Sequence, residues 1–372
     1  MKLTVNKNDM LDVMSRIQGL AGRRSSLAIT ECVLLRADQS GLHLTATDLE
    51  SGYEGLFPAT VEKEGAIAIS ARKFYEIARE FPSDEILIQE NENRKIAIGN
   101  NKVQYHLKAM NPDDYPETPV IEDFEALEID SAAFKRMIER TIVISGIGED
   151  KKAHINGAWF ERFSEAQPPL IRLVSTDGSR LSKSDLAYGG PSVLQRSESV
   201  LVPKKGLHEI TKFLGAGGTA RVGLQGSYFV VQKPSETFYI RLLEGQFPKY
   251  DEIISRSEGH LVKLDKEPFL NMLKRMSILC SDNYRAALFR FGEGLLTIDA
   301  TNPEIGESKE DMPIDFDAAP IEVAFNPRFF IDALNSIDEE KILVDIISED
   351  KPCLIHGAED KSYLGVIMPM RV

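Results

Sequence analysis

A threefold internal repeat constrains this chain more than any other feature. Residues Leu173–Leu181 read Leu-Val-Ser-Thr-Asp-Gly-Ser-Arg-Leu, and relatives stand at Leu42–Glu50, Leu-His-Leu-Thr-Ala-Thr-Asp-Leu-Glu, and at Leu295–Glu304, Leu-Leu-Thr-Ile-Asp-Ala-Thr-Asn-Pro-Glu. Each is an alternating strand that runs into a Thr-Asp or Thr-Asn turn. A chain of 372 residues exceeds one ordinary core, and a prior of roughly 100–200 residues per domain accommodates three units.

The pattern around each copy restarts in the same order. Lys2–Val5 alternates as a strand, and Asn6–Leu20 places Met10, Val13, Met14 and Ile17 at helical spacing. Strand then helix recur at Ala126–Asp130 with Ser131–Val143, and at Leu261–Asp265 with Lys266–Leu279. Strand candidates follow the first helix at Glu31–Ala37, Leu42–Thr47 and Tyr53–Val61. A second half-unit then reads strand Ala66–Ser70, helix Ala71–Phe81 ended by Pro82, and strands Glu85–Gln89, Lys95–Gly99 and Val103–Met110. The acidic, proline-rich run Asn111–Pro119 marks a boundary. The expectation is an α+β protein of three tandem similar domains, 1–119, 120–255 and 256–372, each with two helices packed on antiparallel sheets.

Composition excludes several function classes. Cys32, Cys280 and Cys353 are odd in number and far apart, and the six histidines are scattered. That disfavours disulfides and zinc, so no metal or cofactor is expected. No apolar run approaches the ~20 residues of a bilayer span, and the N-terminus lacks an apolar signal core, so a soluble cytoplasmic protein with no membrane partner is expected. The glycine-rich run Leu214–Ala220 follows a helix and precedes a strand, whereas phosphate-binding loops run strand, loop, helix. Its glycines read as a helix cap. Asp48 and Asp177 read as turn residues, and no catalytic residue is assigned.

A formal charge of −14 opposes a uniformly basic surface, yet charge can be segregated. Asp113–Asp130 holds eight acids and no base, while the helices concentrate cations. Arg16, Arg140 and Arg275 recur at one position of the first helices, expected on the face away from the apolar stripe. The second helices carry Arg72 with Glu76, Lys205 with Glu209, and Arg328 with Asp332, spaced for i,i+4 ion pairs.

Five segments carry a family resemblance: Thr-Asp-Leu-Glu at 47–50, Thr-Asp-Gly-Ser-Arg-Leu at 176–181, Val-Pro-Lys-Lys-Gly at 202–206, Gly-Gln-Phe-Pro-Lys-Tyr at 245–250 and Val-Ile-Met-Pro-Met-Arg-Val at 366–372. In this order on three repeats the whole chain resembles the bacterial DNA polymerase III beta subunit, or sliding clamp, family. The resemblance implies a DNA-clamp fold and a non-catalytic, ring-shaped homodimer around double-stranded DNA, held without sequence preference. It also implies a nucleoid-associated processivity factor. Its partners would be the replicative polymerase alpha subunit, the clamp loader and repair polymerases, bound through short linear motifs.

Residue by residue, the resemblance implies DNA contacts from Arg23, Arg24, Arg72 and Lys73, joined by Arg140, Lys205 and Arg275 from the recurring helix positions. In a loop that touches DNA in the family, Glu149, Ala153 and His154 replace a Gln and a Tyr pair. The implied partner groove comprises Ile155, Thr176, Gly178, Ser179, Arg180, Leu181, Pro248, Val366, Ile367, Met368, Pro369, Met370 and Arg371, with Ser179 where many members carry His. Methionine and branched aliphatics suit an adaptable apolar groove, and Gly178 lets a peptide backbone approach. The implied dimer interface pairs Ile278 and Leu279 with Lys73 and Tyr105. The rival reading is a repeat-built protein-binding scaffold, which would share the groove and not encircle DNA.

Overall fold

The structure, a computed structural model, describes residues 1–21, 27–91, 94–122, 124–144, 152–189, 199–215, 217–255, 259–281 and 284–371. Six long helices stand where the periodicity places them: α1 (Lys7–Ala21), α2 (Ala71–Glu80), α3 (Ser131–Ile142), α4 (Lys204–Leu214), α5 (Lys266–Met276) and α6 (Pro327–Asn335). Met10, Val13, Met14 and Ile17 of α1 are buried, as are Phe269, Met272 and Leu273 of α5. The Ser70 hydroxyl caps α2 by accepting from the Lys73 N–H, and Asn326 caps α6 ahead of Pro327. α4 ends at Gly215, whose φ of +68° supplies the left-handed stop.

The chain falls into two compact bodies, residues 1–135 with 205–242 and residues 136–204 with 243–372. The first contains a five-stranded sheet in the order Ala59–Lys63, Lys2–Asn6, Glu85–Glu90, Lys95–Gly99, Gln104–Lys108. Its eight-stranded sheet runs Ala126–Asp130, Thr219–Gln225, Tyr228–Lys233, Glu236–Arg241, Ser51–Phe57, Gly41–Thr47, Cys32–Asp38, Gly65–Ser70. The second body contains an eight-stranded sheet, Ser199–Pro203, Gly157–Phe163, Leu170–Thr176, Arg180–Ala187, Tyr363–Ile367, Cys353–Gly357, Lys341–Ile346, His260–Asp265. Its four-stranded sheet runs Gly306–Pro313, Leu295–Asn302, Ala287–Gly292, Ile321–Phe325. Phe289, Phe325 and Phe330 pack at the core of this last repeat with centroids 5.2–5.5 Å apart, Phe289 stacked on Phe330 and both meeting Phe325 edge to face. Each such ring removed from water contributes about 1.5–3 kcal/mol.

Two features depart from the sequence expectation. The strand expected over Tyr53–Val61 is two strands in different sheets, Ser51–Phe57 and Ala59–Lys63. Pro58 lies between them without an N–H to continue a ladder, and the chain changes sheet there. The compact bodies also centre on the joints between repeats. Within the first body, Glu236–Arg241 pairs antiparallel with Ser51–Phe57, placing Tyr239 opposite Gly52. Within the second, Arg180–Ala187 pairs with Tyr363–Ile367, placing Leu181 opposite Val366. At each joint two repeats share one sheet.

Candidate partner groove and basic helix faces

The repeated turn is built alike in the first two copies. Thr176 Oγ1 donates to the Arg180 carbonyl at 2.7 Å and accepts from the Gly178 N–H at 3.0 Å, while Asp177 Oδ1 accepts from the N–H groups of Ser179 and Arg180. Thr47 and Asp48 repeat those bonds with Ser51, Leu49 and Glu50. The left-handed position is Gly178 in one copy, at φ +88°, and Leu49 in the other, at +75°. A Cβ on Gly178 would meet nothing within 4 Å. Its glycine therefore leaves space above the turn that a side chain would occupy.

Around this turn the second body assembles most of the residues assigned to the groove. Leu181 and Val366 form a buried apolar cluster with Val174, Tyr250 and Leu354, flanked by Trp159 and Phe247, which stack at 5.8 Å. Pro248 is exposed on the segment between Phe247 and Tyr250. The C-terminal segment is stapled at two points: the Met368 N–H donates to the Ser179 carbonyl at 2.9 Å, and the Met370 N–H to the Ala324 carbonyl at 2.8 Å. Met368, Pro369 and Met370 are half-buried, Arg371 is exposed, and Ile367 is buried core beneath them. A cleft of about 510 Å³ opens beside Met368, bordered by Ile253, Pro352 and Leu354. Ile155 sits in a single helical turn, Ala153–Asn156, whose Ile155 carbonyl accepts from Lys204 Nζ at 2.7 Å. Burial pushes that ammonium down to about 8, with Asp177 pulling the other way.

Phe329, Ile253 and Leu354 in this region escaped the sequence reading, and Asp332, expected to pair with Arg328, meets Arg180 instead. Arg180 stacks its guanidinium 4.3 Å over the Phe329 ring and pairs with Asp177 at 3.0 Å and Asp332 at 2.5 Å. Phe330 is fully buried while Phe329 is half-buried at the border of the same core, which leaves its ring within reach of Arg180.

The first joint differs at the equivalent position for a local reason. Gly52 and Tyr239 stand where the second joint has Leu181 and Val366, and a Cβ on Gly52 would fall inside the Tyr239 ring. The tyrosine plugs the position that is lined by aliphatics in the other copy.

The cations behave less uniformly than the helix positions imply. Arg72 and Lys73 stand exposed on α2, sharing Glu76 at 2.9 and 2.7 Å; hydrogen bonds from Lys73 and then Arg72 hold the Glu76 carboxyl below its usual range. Lys205 is partly exposed and pairs with Asp48 at 2.6 Å and Glu50 at 3.4 Å. Arg275 is exposed and paired with Glu310, whose carboxyl it holds low. Arg140 departs from expectation: it is 8% exposed, pairing with Asp338 at 2.8 Å and Asp360 at 3.2 Å. Arg16 is similarly sunk against Asp12 and Glu236. Two of the three recurring arginines thus serve packing, because carboxylates remote in sequence meet them. Of the three expected i,i+4 pairs only Arg72–Glu76 forms; Lys212 takes Glu209, and Arg328 donates to the Cys280 carbonyl at 3.0 Å. Arg23, Arg24 and Glu149 lie outside the described residues, whereas Ala153 and His154 lie in the turn beneath the groove.

Ile278 is 75% exposed on a short 3-10 turn, Ser277–Leu279, that extends α5, and Leu279 is half-buried. Tyr105 is exposed on the edge strand Gln104–Lys108, and Lys73 is exposed on α2. Among the described residues no group of three or more His, Cys, Asp or Glu could hold a metal, the three cysteines are free and buried, and no helix is long and apolar enough to cross a membrane.

Three repeats joined edge to edge through antiparallel ladders, with an apolar groove at one joint, define the three-domain sliding-clamp fold. The N-terminal, central and C-terminal domains of the DNA polymerase III beta subunit match residues 1–119, 128–249 and 252–371. The chain belongs to that family. It is 28% identical over 375 residues to the beta sliding clamp of Pseudomonas aeruginosa and 26% over 386 residues to that of Vibrio cholerae, each comparison covering both chains in full. Among solved structures, the P. aeruginosa beta subunit superposes with a TM-score of 0.92 at 27% identity, covering both chains in full. A Eubacterium rectale structure described as a putative DNA polymerase III beta subunit gives 0.92 at 28%, also over both full chains. A P. aeruginosa clamp bound to griselimycin gives 0.90 at 28%, again over both full chains.

Proposed function

We propose that this protein is a DNA polymerase processivity factor: a homodimeric ring that encircles duplex DNA, slides, and tethers the polymerase and other partners through the groove of the second body. Full-length membership of the beta subunit family is the observation that carries this reading. Domains 1–119, 120–255 and 256–372 are the units of the ring, in keeping with the three family matches. Partners carrying short linear motifs, among them the replicative polymerase alpha subunit, the clamp loader and repair polymerases, would compete for the aliphatic floor at Leu181 and Val366 and the Met368–Met370 wall. Griselimycin, bound by the P. aeruginosa clamp, is expected to use the same groove here. A nucleoid-associated location follows from the role.

For dimerisation, Gln104–Lys108 and Gly306–Pro313 are sheet-edge strands with mostly exposed side chains, and exposed edges invite pairing with another chain. Lys108 on the first strand is opposite in charge sign to Glu307, Glu310 and Asp311 on the second. Ile278 and Leu279, with Tyr105 and Lys73 on the opposing side, complete the contact.

DNA would be met by Arg72, Lys73, Lys205 and Arg275, together with Arg23 and Arg24. The ion pairs of Arg72, Lys73, Lys205 and Arg275 are surface pairs, readily exchanged for phosphate. Arg140 is dropped from this set because its carboxylates already claim it. Each phosphate contact contributes about 0.9 to the slope of log affinity against log salt. Arg72→Ala with Lys73→Ala, altering four cations per dimer, is expected to lower that slope by about 2–4 in fluorescence anisotropy on a primed duplex. An unchanged slope removes both residues from the DNA face.

A further inference from the structure

The third copy of the repeat turn differs from the other two at a residue that reaches the segment carrying Ile278. Asp48 and Asp177 each accept two backbone N–H bonds through one oxygen. Asn302 keeps part of that use, its Oδ1 accepting from the Glu304 N–H at 3.0 Å. Its Nδ2, a donor that no aspartate possesses, donates to the Leu279 carbonyl at 3.0 Å. Asn302 is 1% exposed, so this bond forms away from water. The next carbonyl, of Cys280, accepts from Arg328 at 3.0 Å. Two successive carbonyls at the end of the 3-10 turn are therefore held by side chains from elsewhere in the repeat.

The turn that Asn302 opens presents a second bare aliphatic. Ile305, whose N–H donates to the Asn302 carbonyl at 3.0 Å, is 63% exposed. The strand Gly306–Pro313 begins immediately after it, at the edge of its sheet. One amide side chain thus links the two segments that carry Ile278 and Ile305, beside an edge open to ladder formation. We infer that Asn302 is a positioning residue for self-association: it sets Ile278 and Ile305 as parts of one apolar surface that receives a second copy of this chain, with Arg328 bracing the same turn. The inference rests on the dimer reading above. It also accounts for asparagine in the copy whose turn must serve an interface.

The chain supplies its own control, since aspartate already supports this turn in the other two copies. Asn302→Asp retains the acceptor for Glu304 and turns a carboxylate toward the Leu279 carbonyl. Sedimentation velocity is expected to give a dimer dissociation constant raised about tenfold or more, with griselimycin affinity of the groove unchanged. Ile305→Ser, at an exposed site, is expected to weaken the dimer in the same assay. A wild-type protein that is monomeric contradicts the dimer reading itself. A dimeric wild type whose dissociation constant neither variant alters overturns the positioning role and leaves the dimer reading standing. Should Asn302→Asp fail to fold, Ile305→Ser decides: an unchanged constant overturns the inference.

Discussion

Ile278→Ala with Leu279→Ala is expected to convert the dimer into monomers at micromolar concentration. Ile278 has little to bury in its own chain, being 75% exposed, so its apolar area is available to a partner. Taking such a side chain out of water is worth about 1.5–3 kcal/mol, and a ring of two subunits makes the contact twice. Truncating both residues therefore removes several kcal/mol from association at little cost to the fold, since Phe269, Met272, Leu273 and Met276 of α5 stay in place. The dissociation constant should rise at least about a hundredfold. A sedimentation profile identical to wild type would remove these residues from the interface.

The second large effect concerns the groove. A chain ending at Ile367 is expected to lose griselimycin and partner-peptide binding in calorimetry, while its sedimentation remains that of a dimer. The strand Tyr363–Ile367 carries the ladder to Arg180–Ala187, so truncation beyond it spares the sheet. It removes the half-buried Met368 and Met370 and the two backbone bonds that hold them. Gly178→Leu tests the opposite wall without a deletion. Leu49 already adopts the same left-handed turn in the first repeat, so the fold should tolerate leucine, whereas the new side chain would fill the space above the turn. Unchanged affinity in both variants would refute the assignment of the groove.

What could be read in the sequence was local. The apolar spacing of α1 and α5 and the Thr-Asp turns depend on residues within a few positions of one another, and their chemistry sufficed. The pairings that decide which cations are free were not legible. Arg140 reads like Arg275 in its helix, yet Asp338 and Asp360, about two hundred residues onward, bury one and leave the other exposed. Tyr239 as the plug of the first joint depends on a register, Tyr239 opposite Gly52, that no local pattern encodes. The groove was nameable only by resemblance. Its floor, Leu181 and Val366, comes from segments nearly two hundred residues apart that become neighbours through one ladder. Asn302 lay in plain view as the third copy's exception, and only the fold reveals that its extra donor reaches Leu279.

Encirclement is the central claim, and topology tests it directly. The protein, loaded onto a nicked circular plasmid by its clamp loader and ATP, should co-elute with the circle through a high-salt sizing column and be released once a restriction enzyme linearises the DNA. Release that depends on linearisation is the predicted result. Protein that never remains with the closed circle, or that remains equally on linear DNA with free ends, would contradict it.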